Sequence, residues 1–353
     1  MRLEQLETPA LILDMDTLEE IMGLIKSQVD AAGIVLRPHY KSHKSTAIAQ
    51  MQIKAGAKGI TCAKLGEAED LVFAGIKDVL IANQITEPVK LSRIAYLANC
   101  CKLTVCADHI ENIKALEAAA ALQNSKIHCL IEYEIGMNRC GVETPEQFLA
   151  LAKEIESSPH LVFEGVQAYA GNLAHEEDYN LRKAGSEAVE ARLGKLLHFL
   201  KDNGLPAKEV SGASTGTVQF RGKDTVYTEI QAGSYLFMDA AYNALNLRFK
   251  SALFVAASVM SIRGDLVIAD AGRKAISVDQ KMPVLNNHRD LPLKVSEEHS
   301  SAIIKDHQYS ICDRLLIIPG HCCTTVNLHD YIYLIRGGEV EDRIPVTSRG
   351  KGY

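Results

Sequence analysis

Short apolar runs alternate with longer amphipathic stretches from about residue 10 to residue 240, and this alternation limits the folds open to the chain. The apolar runs are rich in Val, Ile and Leu, as expected of strands that are buried on both faces. The stretches between them show helical spacing: residues 17–32 place Leu18, Ile21 and Ile25 on one face. Strands that alternate with helices predict a parallel sheet joined by helical crossovers.

Eight of these runs follow one another from residue 33 onwards. They comprise residues 33–37, 58–63, 79–83, 103–107, 127–132, 163–169, 209–211 and 227–232. Eight strands with helical crossovers predict a (β/α)8 barrel of the TIM type, an α/β fold. An open doubly wound sheet is the alternative, and it would require a switch point in the strand order that the sequence does not reveal.

The pattern changes after about residue 245. Short β-rich runs separated by turn residues now occupy residues 253–259, 265–269, 315–319 and 331–335. They predict a smaller, mainly antiparallel β domain. A chain of 353 residues has room for it, because a TIM barrel needs only about 250. An earlier run at residues 10–14 is assigned to the same domain, so the predicted boundaries are 15–245 for the barrel and 246–353 with 1–14 for the β domain.

Charge and composition narrow the classes of function. The net charge is −6 and the sequence pI is about 6.1, without a basic domain or tail, which argues against nucleic acid as a partner. The first residues are polar and acidic, and no apolar run approaches the roughly 20 residues of a membrane span. Nine scattered cysteines, an odd count, indicate reduced thiols, so we expect a cytoplasmic protein.

The segment 37–44 is unusual because it places two lysines, two histidines and an arginine directly after the first barrel strand. Active sites of TIM barrels lie at the carboxyl ends of the strands, which is where this segment falls. A crowded cationic setting disfavours the ammonium form of a lysine, so Lys41 would be a nucleophile near neutral pH. A solvated basic loop is the alternative interpretation.

Other strand ends carry polar groups as well. Arg139 follows the strand that ends near Glu132, and Tyr169 ends the next one. The segments 211–217 and 233–235, which follow the last two strands, offer backbone N–H groups and hydroxyls that suit a phosphate. A phosphate site beside a nucleophilic lysine and an arginine indicates pyridoxal 5′-phosphate (PLP), held by the lysine as a Schiff base.

His321 and Cys323 form a candidate metal site just after the apolar run 315–318. In an extended segment, residues two positions apart point to the same side, so both side chains would reach one ion. A thiolate favours zinc over manganese or magnesium, and two protein ligands would leave open positions for water and substrate. A buried thiol beside a surface histidine is the alternative interpretation.

Taken together, these segments resemble the fold-type III PLP enzymes, which have an alanine racemase-like N-terminal barrel, and within them the D-threonine aldolase and D-serine dehydratase group. The similarity runs nearly from end to end of the chain. It is carried by residues 8–11, 37–44, 138–142, 211–217, 231–239, 270–274, 298–299 and 321–323. The first lysine of the Lys-x-His-Lys stretch bears the Schiff base in this family, and that lysine is Lys41.

The resemblance also implies roles for individual residues. His39, in the lysine motif, is expected to contact the cofactor, Arg139 to lie near its phenolic oxygen, and Tyr169 to face its pyridine nitrogen. The phosphate is expected at a set of small residues and one tyrosine, namely Ser214, Thr215, Gly233, Ser234 and Tyr235. The pair His321 and Cys323 corresponds to a divalent-metal site, with zinc favoured by the thiol and manganese possible.

Two residues point to different reactions within this group. His175 matches a histidine that is thought to act as a base in the aldolases and that the dehydratases lack. Cys323 matches the dehydratases, since the aldolases often carry a carboxylate at this position. The first hypothesis is a PLP- and metal-dependent lyase that cleaves D-β-hydroxy-α-amino acids to glycine and an aldehyde, with Lys41 and His175 as catalytic residues. The alternative is a D-serine or D-3-hydroxyaspartate dehydratase, which releases ammonia and a 2-oxo acid.

Two more hypotheses come from the same resemblance. A non-catalytic PLP-binding homeostasis protein resembles only the barrel half, and it would need neither the β domain nor the His-x-Cys pair. A racemase would need a second base opposite Lys41, and no tyrosine of the sequence suits that role. The resemblance further implies a homodimer that acts on small-molecule D-amino acids and binds no membrane.

Overall fold

The structure, a computed structural model, describes residues 1–353 in two compact units. The barrel unit comprises Ile25–Lys41, Ile48–Gly233 and Lys351–Tyr353. The β unit comprises Met1–Leu24, Ser42–Ala47 and Ser234–Gly350. The chain therefore passes from one unit to the other more than once, and each unit is described by itself.

Strands and helices are numbered along the chain. The strands are β1 (Ala10–Asp14), β2 (Val35–Leu36), β3 (Ile60–Cys62), β4 (Asp78–Gln84), β5 (Lys102–Ala107), β6 (Ile127–Glu132), β7 (Leu161–Ala168), β8 (Glu209–Gly212), β9 (Glu229–Ile230), β10 (Leu253–Arg263), β11 (Leu266–Ala269), β12 (Val284–Leu285), β13 (His288–Pro292), β14 (Lys294–Val295), β15 (Ser300–Ile303), β16 (Arg314–Ile318), β17 (Tyr331–Arg336) and β18 (Glu339–Pro345).

The α-helices are α1 (Met15–Ala32), α2 (Thr46–Lys54), α3 (Leu65–Phe73), α4 (Pro88–Leu97), α5 (Ile110–Gln123), α6 (Pro145–Ser157), α7 (Tyr179–Asp202), α8 (Ala240–Asn243) and α9 (Cys322–Val326). Short 3-10 helices lie at Leu3–Gln5, Tyr40–Ser42, Gly171–Leu173, Val218–Phe220 and Ser234–Leu236. None of the helices combines the length and the apolar character that a membrane crossing requires.

The barrel unit is built on eight parallel strands in the order β2-β9-β8-β7-β6-β5-β4-β3. A parallel bridge between His39 and Thr61, just after β2 and inside β3, joins the two ends of this order. The sheet therefore curls as in a TIM barrel, and the predicted (β/α)8 architecture is confirmed. The eight runs identified in the sequence are the eight strands observed.

The crossover helices pack through the apolar faces that their sequences predict. In α6, Thr144 caps the amino end by accepting a hydrogen bond from the backbone N–H of Gln147 at 3.2 Å. The fully buried Phe148 then packs edge-to-face on Phe163 of β7, with ring centroids 6.2 Å apart. Burial of one such aromatic side chain contributes about 1.5–3 kcal/mol.

The first residues of β4, β8 and β9 form a network of ion pairs around Arg37, which follows β2 and is fully buried. Its guanidinium binds Glu229 at 2.9 Å and Asp78 at 2.6 Å, the first residues of β9 and β4. Lys58 extends the network by binding both Glu229, at 2.9 Å, and Glu209 of β8, at 2.6 Å. Burial acts to raise the pKa of Glu209, but the hydrogen bond and charge of Lys58, with the charges of Lys102 and Arg37, together outweigh it and hold that pKa below its usual value.

The β unit contains a mainly antiparallel sheet in the order β13-β12-β16-β10-β1-β17-β18. β11 also pairs with β10, and β15 and β14 continue from β11. The early strand β1 lies at the centre, antiparallel to β10 and parallel to β17. An apolar core with Ile12, Phe254, Ile318 and Ile335 holds these strands together. The predicted class, a TIM-type barrel with a mainly antiparallel second domain, is therefore correct.

Candidate active site

Lys41 lies in the short 3-10 turn Tyr40–Ser42 that directly follows the first barrel strand. His39 shapes this turn, because its backbone N–H donates to the carbonyl of Ala232 at 3.0 Å and its Nδ1 accepts from the backbone N–H of Lys41 at 3.3 Å. Tyr40 is fully buried, whereas the Lys41 side chain is half-buried. The turn is thus anchored on both sides while the amine of Lys41 stays accessible.

A cavity of about 240 Å³ opens beside Lys41 in the barrel unit. Most of its wall comes from residues at or just after the carboxyl ends of barrel strands. The lining residues are His39, Lys41, Ala63, Ala82, Asn83, Arg139, Cys140, Gln167, Tyr169 and Gln231. Four residues predicted from the sequence, His39, Lys41, Arg139 and Tyr169, therefore meet in one cavity at the end of the barrel where TIM-barrel sites form.

Two cations of this cavity lie close to the Tyr169 ring. The Lys41 Nζ is 5.5 Å from the ring centroid and the Arg139 Cζ is 5.9 Å from it. Both distances are within the range of a cation–π interaction. The two cations hold the Tyr169 ring in place and give the cavity a positive charge that suits an anionic ligand.

A buried carboxylate lies behind Arg139. Glu132, the last residue of β6, is 3.7 Å from the Arg139 guanidinium and accepts a hydrogen bond from Gln84 at 2.6 Å. Burial raises the pKa of Glu132, because the low-dielectric surroundings disfavour its charge. Arg139 belongs to the loop between β6 and α6. Glu134 holds this loop by accepting hydrogen bonds from the backbone N–H groups of Gly136 and Asn138. Arg139 therefore projects from an ordered loop although its side chain is 51% exposed.

Three amides in the cavity wall were not identified from the sequence. Gln231 donates to Gln167 at 2.6 Å and to the Ser211 hydroxyl at 2.7 Å, and Asn83 donates to the carbonyl of Ala63 at 3.0 Å. Asn83 closes the apolar run 79–83, so a polar residue at a strand end was an available signal. The two glutamines carry no such signal, because their contact joins β7 to the segment after β9.

The residues predicted to bind a phosphate do not line this cavity. Ser214 and Thr215 are buried in a turn, with the Ser214 and Thr217 hydroxyls 3.2 Å apart. A Cβ on Gly216 would lie 2.2 Å from the carbonyl oxygen of Ala174, so only glycine fits this close approach. In the β unit, Ser234 is buried and Tyr235 is a core residue whose ring packs on Phe249 at 5.8 Å. Gly233 precedes them, and the phosphate site stays a prediction.

His175, the predicted base, lies in the turn between the 3-10 helix Gly171–Leu173 and α7. Its side chain is half-buried and does not line the cavity around Lys41. The helix that follows begins at Tyr179, with Asp178 as its cap, so His175 does not open that helix. Its catalytic role stays a prediction.

His321 and Cys323 meet in the β unit by a different geometry from the one expected. The segment is not extended throughout: His321 has extended backbone angles, but Cys323 lies in the first turn of α9. The imidazole nevertheless contacts the Cys323 thiol. The Cys323 Sγ lies 3.7 Å from the hydroxyls of both Ser234 and Ser42, and Ser42 follows Lys41 in the chain. His321 and Cys323 therefore meet because a helix begins at Cys322, and not because the segment is extended as the sequence predicted.

Acidic groups hold this segment. Asp279 lies 3.0 Å from the His321 Nδ1, and the buried Asp239 accepts from the backbone N–H of Cys322 at 2.8 Å. Burial acts to lower the pKa of His321, but Cys323 and Asp279 together outweigh it and raise that pKa to about 9. An imidazole beside a thiol is a donor set that suits zinc. No group of three or more His, Cys, Asp or Glu side chains in the chain is arranged to hold a metal ion.

Comparison with known protein families matches two parts of the chain. The model described as "Alanine racemase, N-terminal domain" matches residues 13–241. The model described as "Putative serine dehydratase domain" matches residues 252–335. The chain is 38% identical to a 3-hydroxy-D-aspartate aldolase of Paracoccus denitrificans, over 99% of this chain and 94% of the relative. It is 34% identical to a D-threonine aldolase of Arthrobacter over the same shares.

Solved structures agree with these relatives. The D-threonine aldolase of Filomicrobium marinum superposes with a TM-score of 0.97 at 36% identity, covering 100% of this chain and 98% of that one. The D-threo-3-hydroxyaspartate dehydratase of Delftia is more distant, with a TM-score of 0.89 at 26% identity over 98% of each chain. Two further structures are described as D-threo-3-hydroxyaspartate dehydratase variants in which a histidine and a cysteine two positions apart are replaced by alanine, and the cysteine variant is described as metal-free.

Proposed function

Because the chain belongs to the family of the alanine racemase N-terminal domain and to its D-threonine and 3-hydroxy-D-aspartate aldolase branch, we propose that it is a PLP-dependent lyase. The reaction would cleave D-β-hydroxy-α-amino acids to glycine and an aldehyde. The observation that carries this proposal is the end-to-end match to two aldolases, while the dehydratases are more distant. The cavity around Lys41 supports it independently.

The residues of that cavity fit PLP. Lys41 offers an accessible amine, Tyr169 an aromatic face and Arg139 a cation, all around a space of about 240 Å³. PLP bound through Lys41 would supply an electron sink for the negative charge that Cα–Cβ cleavage leaves on Cα. Arg139 would neutralise the phenolic oxygen, and His39 would orient the lysine turn. The turns at residues 214–215 and 233–235 are proposed to bind the phosphate.

His321 and Cys323 are proposed to hold a divalent metal, with zinc favoured and manganese as the alternative. The adjacent imidazole and thiol support zinc, as does the matching two-position spacing of the histidine and the cysteine replaced in the D-threo-3-hydroxyaspartate dehydratase variants. A metal at this position would lower the pKa of the substrate's β-hydroxyl. His175 is proposed to accept the proton of that hydroxyl, and this role rests on the resemblance.

A dehydratase is the second candidate function, and Cys323 favours it. A thiol stands where the aldolases that the chain resembles often carry a carboxylate. In this reaction Lys41 would remove the α-proton and the β-hydroxyl would leave with the help of the metal; hydrolysis of the dehydrated product would then give a 2-oxo acid and ammonia. The two candidates share every residue proposed above except His175, so their products distinguish them better than any substitution.

Product analysis tests the proposal. The purified protein, with PLP and either zinc or manganese, is incubated with D-threonine, D-3-hydroxyaspartate and D-serine. We expect glycine and an aldehyde from at least one substrate, and no product from the Lys41→Ala variant. Ammonia and a 2-oxo acid would instead establish the dehydratase. No turnover, with a PLP absorbance band that is lost in Lys41→Ala, would leave the non-catalytic PLP-binding protein.

We also propose a homodimer in the cytoplasm. A groove of about 830 Å³ on the β unit, lined in part by the exposed apolar Met260 and Ile303, supports a surface that another subunit covers. None of the nine cysteines forms a disulfide, which suits a reducing compartment. Light scattering on the purified protein would give its mass, and a monomer at micromolar concentration would contradict the dimer.

A further inference from the structure

Asp279 forms a hydrogen bond with the Nδ1 nitrogen of His321, the histidine proposed to bind the metal. Its Oδ2 lies 3.0 Å from the His321 Nδ1. An ionised carboxylate can only accept, so Nδ1 must carry the proton and donate it. In the neutral ring, the form that binds a metal, the lone pair is then on Nε2. Asp279 therefore selects the tautomer of His321 that can bind an ion through Nε2.

The carboxylate of Asp279 is itself held in place. Its Oδ1 accepts hydrogen bonds from the Ser277 hydroxyl and, at 3.1 Å, from the Thr324 hydroxyl. Thr324 belongs to the helix that carries Cys323, so both proposed ligands are tied to the same acidic group. The side chain is 49% exposed, so solvent screens its charge, and its effect must come mainly from directed hydrogen bonds.

We propose that Asp279 is a positioning residue that orients His321 and fixes its tautomer for a divalent metal at His321 and Cys323. The inference rests on the metal site of the proposed function. A carboxylate on the second nitrogen of a metal-bound histidine sets the ring orientation and raises its basicity, and its loss typically costs 10- to 100-fold in metal affinity. Nothing in the sequence pattern around residue 279 signals this role.

Asp279→Asn is the decisive variant. The amide oxygen can still accept from Ser277 and Thr324, but the amide nitrogen replaces the oxygen that faces Nδ1 and cannot accept its proton. The packing contacts of the side chain are thus retained while the bond to the imidazole is lost. Asp290→Asn, an exposed aspartate of β13 in the same unit, is the matched control.

Zinc affinity is measured on the PLP-loaded protein after chelation, by competition with a zinc-binding dye. We expect affinity to fall by roughly 10-fold in Asp279→Asn, the lower end of the range because the carboxylate is half exposed, and to stay unchanged in Asp290→Asn. With cobalt as a probe, the thiolate charge-transfer band should persist in Asp279→Asn, because Cys323 still binds, while the visible ligand-field bands shift.

Three outcomes would overturn the inference. Equal zinc affinity of the wild type and Asp279→Asn would remove Asp279 from the site and leave the proposed function intact. A large loss of thermal stability in the metal-free Asp279→Asn protein, parallel to the loss of affinity, would assign Asp279 to the fold. No zinc or cobalt binding by the wild type would reject the metal site and the inference with it.

Discussion

Charged groups lie at both ends of the barrel strands, but at one end they bind one another and at the other they line an open cavity. At the amino ends of β3, β8 and β9, Lys58, Glu209 and Glu229 bind one another and the buried Arg37, which follows β2, at 2.6–2.9 Å. At the carboxyl ends, the cationic groups of Lys41 and its neighbours surround an open cavity and a tyrosine ring.

The groups that bind one another stabilise the barrel, whereas the groups that line the cavity can react with a ligand. A buried ion pair is costly to break and leaves its groups unable to react, whereas an accessible amine or guanidinium can still bind a ligand. TIM barrels in general place function at the carboxyl ends and stability at the other. Substitutions at the two ends should therefore affect different measurements.

The largest effect is expected at the carboxyl end, from Lys41. Lys41→Ala and Lys41→Arg should both lower the lyase activity by roughly 10³-fold or more, because neither side chain can form the covalent link to PLP. Arginine retains the charge, so it separates a covalent role from an electrostatic one. The midpoint of urea unfolding should change little in either variant, since the side chain is half-buried. Full activity of Lys41→Arg would contradict the assignment.

The amino end should respond in the reverse manner. Arg37→Met removes the buried guanidinium that binds both Glu229 and Asp78 and leaves Glu229 with Lys58 alone, so the free energy of unfolding should fall by about 3–5 kcal/mol. Activity per folded molecule should be retained. The control is Arg2→Met, whose side chain is 73% exposed and whose loss should cost less than about 1 kcal/mol. If Arg37→Met abolished activity without loss of stability, the division between the two ends would fail.

Glu132 tests how tightly the carboxyl end is organised. Glu132→Gln preserves the shape of the side chain and removes the charge that lies 3.7 Å from Arg139. We expect PLP to dissociate roughly 10-fold more readily, because Arg139 is then less well positioned. Absorbance during dialysis would measure the loss of PLP, with the exposed Glu111→Gln as the control. Unchanged PLP retention would show that the loop holds Arg139 without Glu132.

The smallest expected effect is a pH dependence at the amino end. The pKa of Glu209 is held below its usual value of 4.5, so the folded state binds its proton less readily than the unfolded chain. The stability that Glu209 contributes is therefore present above pH 4.5 and is lost as the pH falls through the lowered pKa. Urea unfolding at several pH values should show Glu209→Gln less stable than the wild type at pH 7, with a difference that narrows in acid. A difference independent of pH would contradict it.

Much of the fold could be predicted because strand and helix periodicities are local. The alternation of apolar runs and amphipathic stretches in residues 33–232 contained all eight barrel strands. The topology of a parallel barrel then brings its strand ends together, so His39, Lys41, Arg139 and Tyr169 could be grouped before any contact was known. These inferences need only sequence spacing and one general rule of architecture.

The local conformation at His321 and Cys323 could not be predicted from the sequence. His321 and Cys323 were paired on the assumption of an extended segment, but a helix begins at Cys322, and the helix start brings the two side chains into contact. A two-residue spacing does not distinguish these conformations, and the helix start receives a hydrogen-bond acceptor, Asp239, that lies far away in the sequence.

The sequence by itself determined the barrel, the mainly antiparallel second domain and the strand ends at which chemistry would occur, since each follows from hydrophobic periodicity and chain topology. Only the tertiary structure decided which polar groups meet. It buried Arg37 in ion pairs, drew Gln167 and Gln231 into the cavity wall, and brought Asp279 to His321 across 42 positions of sequence. Those contacts depend on how the packed helices and strands orient their side chains, and a local sequence pattern does not determine that orientation.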